Sequence, residues 1–236
     1  MSEQAKSDVL FDCPEHTRVG RQVPKRRIID AAKPGKRVRE LLTRQVEKIV
    51  WQNKLAPETL NLPATRSVPE IQIFRVFLKQ EGSGDGLPED VLRCIDGAIG
   101  FPVLFELIRA DEQIRLVAGY KRPSEAKLDK WVIDGYFASN WGPAGKPREA
   151  LPVALDLGSL YKQILQRLIP LRTQNNENLE KLINRVSRAR AKEREIEKTQ
   201  SMLEREKQFN RKVDVNSRLR KLKEELEQIK RGGGNE

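Results

Sequence analysis

Glu70-Ile71-Gln72-Ile73-Phe74-Arg75-Val76-Phe77-Leu78-Lys79 is the stretch that decides the fold class. Side chains alternate along an extended chain, so Ile71, Ile73 and Phe77 share one face and Phe74, Val76 and Leu78 the other. A strand that is apolar on both faces belongs inside a sheet covered on each side. Downstream, Gly82-Ser83-Gly84-Asp85-Gly86 ends it, and Leu87-Pro88-Glu89-Asp90 opens a short helix to about Ile99. Three further strands are expected at Val103–Ile108, Ile114–Tyr120 and Trp131–Phe137. Ala110-Asp111-Glu112-Gln113 is short enough for a hairpin between the first two. One crossover followed by a meander predicts an α+β fold, with a mixed, mainly antiparallel four-stranded sheet and helices packed on it.

Upstream, Val38, Leu42, Val46, Ile49 and Val50 recur at three- and four-residue spacing, which predicts a helix from Lys36 to about Lys54. Leu55–Pro69 reads as a packed loop, and residues 1–33 as a basic, largely irregular arm. After the body, Asp156–Ile169 carries an apolar stripe of Leu157, Leu160, Tyr161, Ile164 and Leu168, so a last body helix is expected there. From Thr173 to Arg231 the chain has no Pro or Gly and a single aromatic, Phe209. Leu179, Leu182, Val186, Ile196 and Leu203 form one seam, and Leu219, Leu222, Leu226 and Ile229 a second that is out of register with it. This predicts a C-terminal helical hairpin or coiled coil over 173–231, with a turn near 208–216, Asn216 or Ser217 capping the return helix, and a long arm of roughly 50 Å. The domain division expected is thus 1–33, 34–172 and 173–231, with 232–236 disordered.

The chain has 236 residues and a formal net charge of +11. That length supports one globular core plus an appendage. Arg18 to Arg39 holds nine Lys or Arg against one acid, Asp30. Such a run is either a solvated arm or a nucleic-acid contact. Cys13 and Cys94 lie in unlike contexts and make neither a disulfide framework nor a metal motif. No secretory leader or membrane span is evident, so a cytoplasmic location is expected.

Candidate chemistry is sparse. The glycine-rich loop at 82–86 lacks the Lys-Ser/Thr of a phosphate-binding loop. Glu70, Glu106 and Asp134 on three strands could converge on Mg²⁺ as in a metal-dependent nuclease, or could be ion-paired strand residues. His16 is the only histidine, so neither histidine metal ligation nor a hydrolytic triad is expected. No catalytic residue, metal ligand or cofactor is assigned. Trp51, Trp131, Trp141, Tyr120 and Tyr136 could stack bases among Lys121, Arg122, Lys127 and Lys130, or could pack the core. The candidate nucleic-acid contacts are Arg18, Arg21, Lys25, Arg26, Arg27, Lys36, Arg37, Lys121 and Arg122. The candidate partner-binding residues are Leu179, Leu182, Val186, Ile196, Leu203, Leu219, Leu222, Leu226 and Ile229.

Four segments, WQNKLAPETLNLPAT (51–65), EIQIFRVFLK (70–79), KWVIDGYFASNW (130–141) and QFNRKVDVN (208–216), together resemble an uncharacterised bacterial and archaeal family of unknown function. The genes of that family often sit beside those of a DNA methyltransferase and a superfamily 2 helicase in defence or restriction-modification islands. The resemblance implies an accessory subunit of a DNA-acting complex, and with the tail read as a docking arm the expectation is a non-enzymatic subunit held by that tail on a helicase or methyltransferase subunit. It implies no catalytic residue. A protein-only scaffold that self-assembles through the tail and a metal-dependent nuclease are the alternatives.

Overall fold

The order of elements follows where apolar side chains alternate and where they cluster. A computed structural model describes residues 9–80, 86–123, 131–175 and 177–232. Over the first 170 residues it shows β1 (Phe11–Asp12), β2 (Arg18–Val23), α1 (Lys25–Ala32), α2 (Lys36–Gln45), β3 (Val46–Leu55), α3 (Pro57–Leu60), β4 (Ile71–Leu78), α4 (Glu89–Gly97), β5 (Val103–Ile108), β6 (Gln113–Pro123), β7 (Trp131–Ala138), β8 (Gly142–Pro143), β9 (Glu149–Ala150) and α5 (Leu157–Leu168). Then come α6 (Leu179–Arg205) and α7 (Phe209–Arg231). The chain divides into two compact units, with the boundary between Ile169 and Pro170. Among the described residues no helix is long and apolar enough to cross a membrane.

The main sheet has seven strands, not four, in the order β2-β3-β4-β5-β6-β7 with β8 added to β6. Only β4 and β5 run parallel, joined through α4, while β5, β6 and β7 form an antiparallel meander. The crossover and meander are as the sequence predicts. The additional strands come from the segment read as helix and from the arm read as irregular.

The helix from Lys36 stops at Gln45, and Val46–Leu55 is a strand. The physical reason lies in its pairing. Val46 faces Leu78 and Lys48 faces Phe77, so β3 carries one extra residue there, and a second irregularity lies between Trp51 and Asn53. A bulge of this kind shifts the alternation by one position. Val46 and Ile49, three apart, therefore face the same side, which imitates a helical stripe. The arm is also ordered where it was expected to be irregular. β2 is an edge strand, exposed over five of its six residues, so it lacks the apolar alternation that would announce it. α1 buries one residue, Ile28.

Two faces of the sheet are covered. On one, Ile28, Leu42, Val91, Leu92, Cys94 and Ile95 of the helices meet Val46, Ile49, Phe74, Val76, Val103, Phe105, Leu107, Val117 and Tyr136. On the other, α5 packs on β6 and β7, burying Leu157, Leu160, Tyr161, Ile164, Leu165 and Leu168. Asp156 caps that helix, accepting from the Ser159 amide at 2.7 Å, as its sequence position suggests. Gly119 has a steric role. A Cβ there would lie 3.0 Å from the Tyr136 ring and 3.1 Å from Ile133, so a side chain at this position would push the ring out of its place across the strand. β1 lies parallel to β9, apart from the main sheet.

In the second unit, α6 and α7 run antiparallel. Arg185 Nη1 donates to the Lys230 carbonyl, Lys192 pairs with Glu225 and Arg218 with Glu195, so residue numbers fall on one helix as they rise on the other. The connection is at 206–208, not 208–216. Asn216 and Ser217 lie inside α7, whose N-cap is Gln208. Packing against α6 outweighs the weak helix propensity of Val213, Val215 and Asn216. At ~1.5 Å per residue the 27 residues of α6 span about 40 Å, less than the arm length expected. Of the expected tail end 232–236, only Gly232 lies within the described residues.

Candidate nucleic-acid interface

The basic segment 18–39 becomes three adjoining pieces: the edge strand β2 and the helices α1 and α2. Helices α1 and α2 each present one apolar side to the core and leave their cations outside, because Ile28 and Leu42 are the residues they bury. Arg18, Arg21, Arg27 and Lys36 are exposed, and none has an ion-pair partner among the described residues. Arg26 and Arg37 are exposed and meet Asp30 at 3.6 Å and Asp90 at 2.6 Å. Exposed pairs of this kind contribute little, so a phosphate can displace either carboxylate. Lys33, Arg39 and Arg44 belong to the same exposed set and were not singled out from sequence. The helical phase of α2 is the signal that would have found Arg39 and Arg44. With Arg37, Glu40, Leu41, Thr43 and Lys79 they line a concavity of about 680 Å³.

Three predicted contacts are placed otherwise. Lys25 is half-buried, with Nζ donating to the Val46 carbonyl at 2.8 Å. Burial, then the nearby Lys79 charge, lowers its pKa below the ordinary lysine value. Lys121 is 4% exposed and is a structural residue, not a surface cation. Its ammonium donates to the Asp96 carboxylate at 2.8 Å and to the carbonyls of Asp96, Ile99 and Phe101. It thereby satisfies the C-terminal end of α4, where orphan carbonyls favour a cation. Tyr136 donates to the other Asp96 oxygen at 2.9 Å. Burial pushes the Asp96 carboxyl up, and the Lys121 ammonium and Tyr136 hydroxyl oppose that. Burial and the Asp96 charge together hold the Tyr136 phenol protonated. Arg122 is only partly exposed and is bonded to Asp134 at 2.9 Å. Lys127 and Lys130, and positions 82–85 of the glycine-rich loop, lie outside the described residues.

The three carboxylates considered for metal chemistry do not meet. Glu70 pairs with Lys54 at 3.2 Å and accepts from Gln72. Glu106 is buried between Arg75 at 2.7 Å and Arg148 at 2.5 Å, and Asp134 is held by Arg122. Among the described residues no group of three or more His, Cys, Asp or Glu is placed to hold a metal ion. Cys13 lies near Glu106. Burial first, then the Glu106 charge, pushes its thiol up to about 12, which keeps it protonated and a poor nucleophile. His16 is exposed, with Nε2 at 2.5 Å from the Thr59 carbonyl.

The aromatic residues have separate roles. Tyr136 is core. Trp141 lies under the guanidinium groups of Arg109 at 3.8 Å and Arg115 at 4.6 Å, and Trp131 lies 5.8 Å from the Lys121 ammonium. Tyr120 is partly buried on β6. Trp51 is partly buried and stacks on Phe74 with ring centroids 6.4 Å apart.

In the tail, Leu182, Val186, Leu219, Leu222 and Ile229 are buried, while Leu179, Ile196, Leu203 and Leu226 are half-buried. These seams are largely consumed within the chain. Sequence reasoning missed the apolar residues that remain outside: Met202 at 51%, Phe209 at 78% and Val213 at 53% exposure. All three lie within two turns of the 206–208 connection.

Residues 11–226 match the family described as Domain of unknown function (DUF4391). The chain belongs to this family. The matched span takes in β1 through most of α7, so both units are part of what defines DUF4391. Comparison with curated proteins and with solved structures gives no match.

Proposed function

We propose that the protein is a non-enzymatic accessory subunit of a DNA-acting complex of the restriction-modification or phage-defence kind. It contacts DNA through the β2–α1–α2 surface and docks on a helicase or DNA methyltransferase subunit through its helical tail. One observation carries the DNA half: Arg18, Arg21, Arg27, Lys33, Lys36, Arg39 and Arg44 are exposed on adjoining elements and form no ion pair among the described residues. A surface this basic costs self-repulsion, which phosphates relieve by releasing their counterions. The docking half is supported by the exposed side chains at the hairpin tip, since large apolar groups clustered on a surface mark interaction sites. The choice of partner rests on the family resemblance.

Affinity for duplex DNA should fall linearly on a log-log plot against salt. Each phosphate contact adds roughly −0.9 to the slope. Replacing Arg27, Lys36, Arg39 and Arg44 together by Ala should make the slope shallower by up to about 3.6, measured by fluorescence anisotropy. Absence of salt-dependent affinity for any nucleic acid overturns the DNA half. Co-purification with a helicase or methyltransferase subunit should be lost in Phe209→Ser/Val213→Ser, two exposed positions whose change leaves the helix pair folded. Unchanged capture by that variant overturns the assignment of the tip.

A further inference from the structure

Where β2, β3 and β4 lie side by side, the sheet carries a small aromatic cavity beside the basic strand. It has a volume of about 320 Å³, and Trp51, Lys54, Glu70, Gln72 and Phe74 line it together with the 98–101 segment. The size is at the low end of ligand pockets, ~300–1,000 Å³, and is enough for a planar ring system. Trp51 is fixed from two sides. Its ring lies 9° from parallel to that of Phe74, and its Nε1 donates to Gln72 Oε1 at 2.7 Å. Gln72 Nε2 in turn donates to Glu70 Oε2 at 3.0 Å, and Lys54 neutralises Glu70 at 3.2 Å. Gln72 keeps one amide hydrogen and Glu70 one carboxylate oxygen beyond these bonds. A rigid aromatic wall therefore stands next to an adjacent donor and acceptor, which is the pattern that the edge of a nucleobase satisfies.

Cations lie at the right distance for a backbone. Arg21 is directly opposite Trp51 in the β2–β3 register, so its side chain leaves the same face of the sheet about 5 Å away. Lys54 stands at the mouth on the other side, bridging Glu58 and Glu70. Arg18 pairs with Asn53 beyond a bulge and lines a groove with Arg75 and Arg148 on the other face of the sheet, so Arg21 is the β2 cation at this cavity.

We infer that this cavity receives a single unpaired base of a nucleic-acid strand, stacked on Trp51, with a flanking phosphate on Arg21. This rests on the DNA-contact reading and refines it from charge alone to a strand with at least one unstacked base. The test compares a short single-stranded oligonucleotide with an abasic strand of equal length, both titrated into the full chain by fluorescence anisotropy. The base-bearing strand should bind about five- to hundred-fold more tightly, the range that one base–aromatic stack supplies. Trp51→Phe should keep most of this preference and Trp51→Ala should abolish it, with circular dichroism reporting whether the variant is folded. Equal affinity of the full chain for both strands, with salt-dependent binding intact, overturns the cavity alone. Failure to bind either strand while salt-dependent affinity for duplex DNA persists also overturns the cavity alone, and loss of affinity for duplex and strands alike overturns the DNA-contact reading with it. Tighter binding of a free deoxynucleoside monophosphate than of the strand overturns the assignment to a strand.

Discussion

Lys121→Ala is expected to lower the free energy of unfolding by about 3–5 kcal/mol, the cost of stranding a buried partner charge. Asp96 is 1% exposed, so without the ammonium its carboxylate has no water to turn to. The substitution also removes the donor shared by the carbonyls of Ile99 and Phe101, which leaves the end of α4 unsatisfied. For a chain of this length the melting temperature should drop by roughly 10 °C. Removing both charges with Lys121→Met/Asp96→Leu should recover part of the loss, because apolar replacement of a whole buried pair is often tolerated. Urea denaturation read by far-ultraviolet circular dichroism gives the comparison. A single substitution costing less than about 1 kcal/mol would show the network to be dispensable.

Arg185→Ala should release α7. The guanidinium is 8% exposed and makes a two-pronged bond to Glu177, Nε at 2.7 Å and Nη2 at 2.8 Å. It also donates to the carbonyls of Lys230 and Arg172. One side chain thus ties the start of α6 to the end of α7 and to the segment leading into the hairpin. Its removal leaves a buried carboxylate and two carbonyls without their donor, for an expected loss of about 3 kcal/mol in this unit. Amide exchange along 209–231 should accelerate accordingly, while amides of the main sheet stay protected. The same contact sets a pH response. Burial raises the Glu177 pKa, but the Arg185 bonds and the Gln174 amide outweigh it and hold the carboxyl below the ordinary glutamate value. Stabilisation from a depressed carboxylate is present above its unfolded-state pKa of about 4.3 and is lost as pH falls through the folded value. The hairpin should therefore loosen in acid, and the loosening should be missing in Arg185→Ala.

Legibility of the chain divides by what local patterning records. The strand at 71–78 and the three that follow it carry their own apolar alternation, so the crossover and meander could be read directly. β3 could not, because its bulge restores Val46 and Ile49 to one face at a spacing a helix would use. β2 had little to read, since an exposed edge strand places no constraint on alternation. At the candidate interface the cluster of cations was visible, but its members were not separable. Lys25 and Lys121 look like Arg27 and Lys36 until the backbone brings the Val46 carbonyl to one and Asp96 to the other, 21 and 25 positions away. Phe209 stood out as the single aromatic of the tail, but its exposure with Val213 at the tip could not be read because the turn is expected near 208–216 and lies at 206–208. The cavity at Trp51 was beyond sequence reasoning, as its walls come from 51–54, 70–74 and 98–101.

The pairing of β1 with β9 has a consequence for biogenesis. Phe11 and Asp12 lie against Glu149 and Ala150, and Arg148 reaches back to the Phe11 carbonyl at 2.9 Å, so the body is latched by strands some 140 positions apart. A ribosome must release nearly all of that stretch before the latch can close. Until then the nascent chain presents an unfinished, positively charged sheet, which makes its timing of maturation dependent on translation speed, whereas the two terminal helices can zip together locally soon after they emerge.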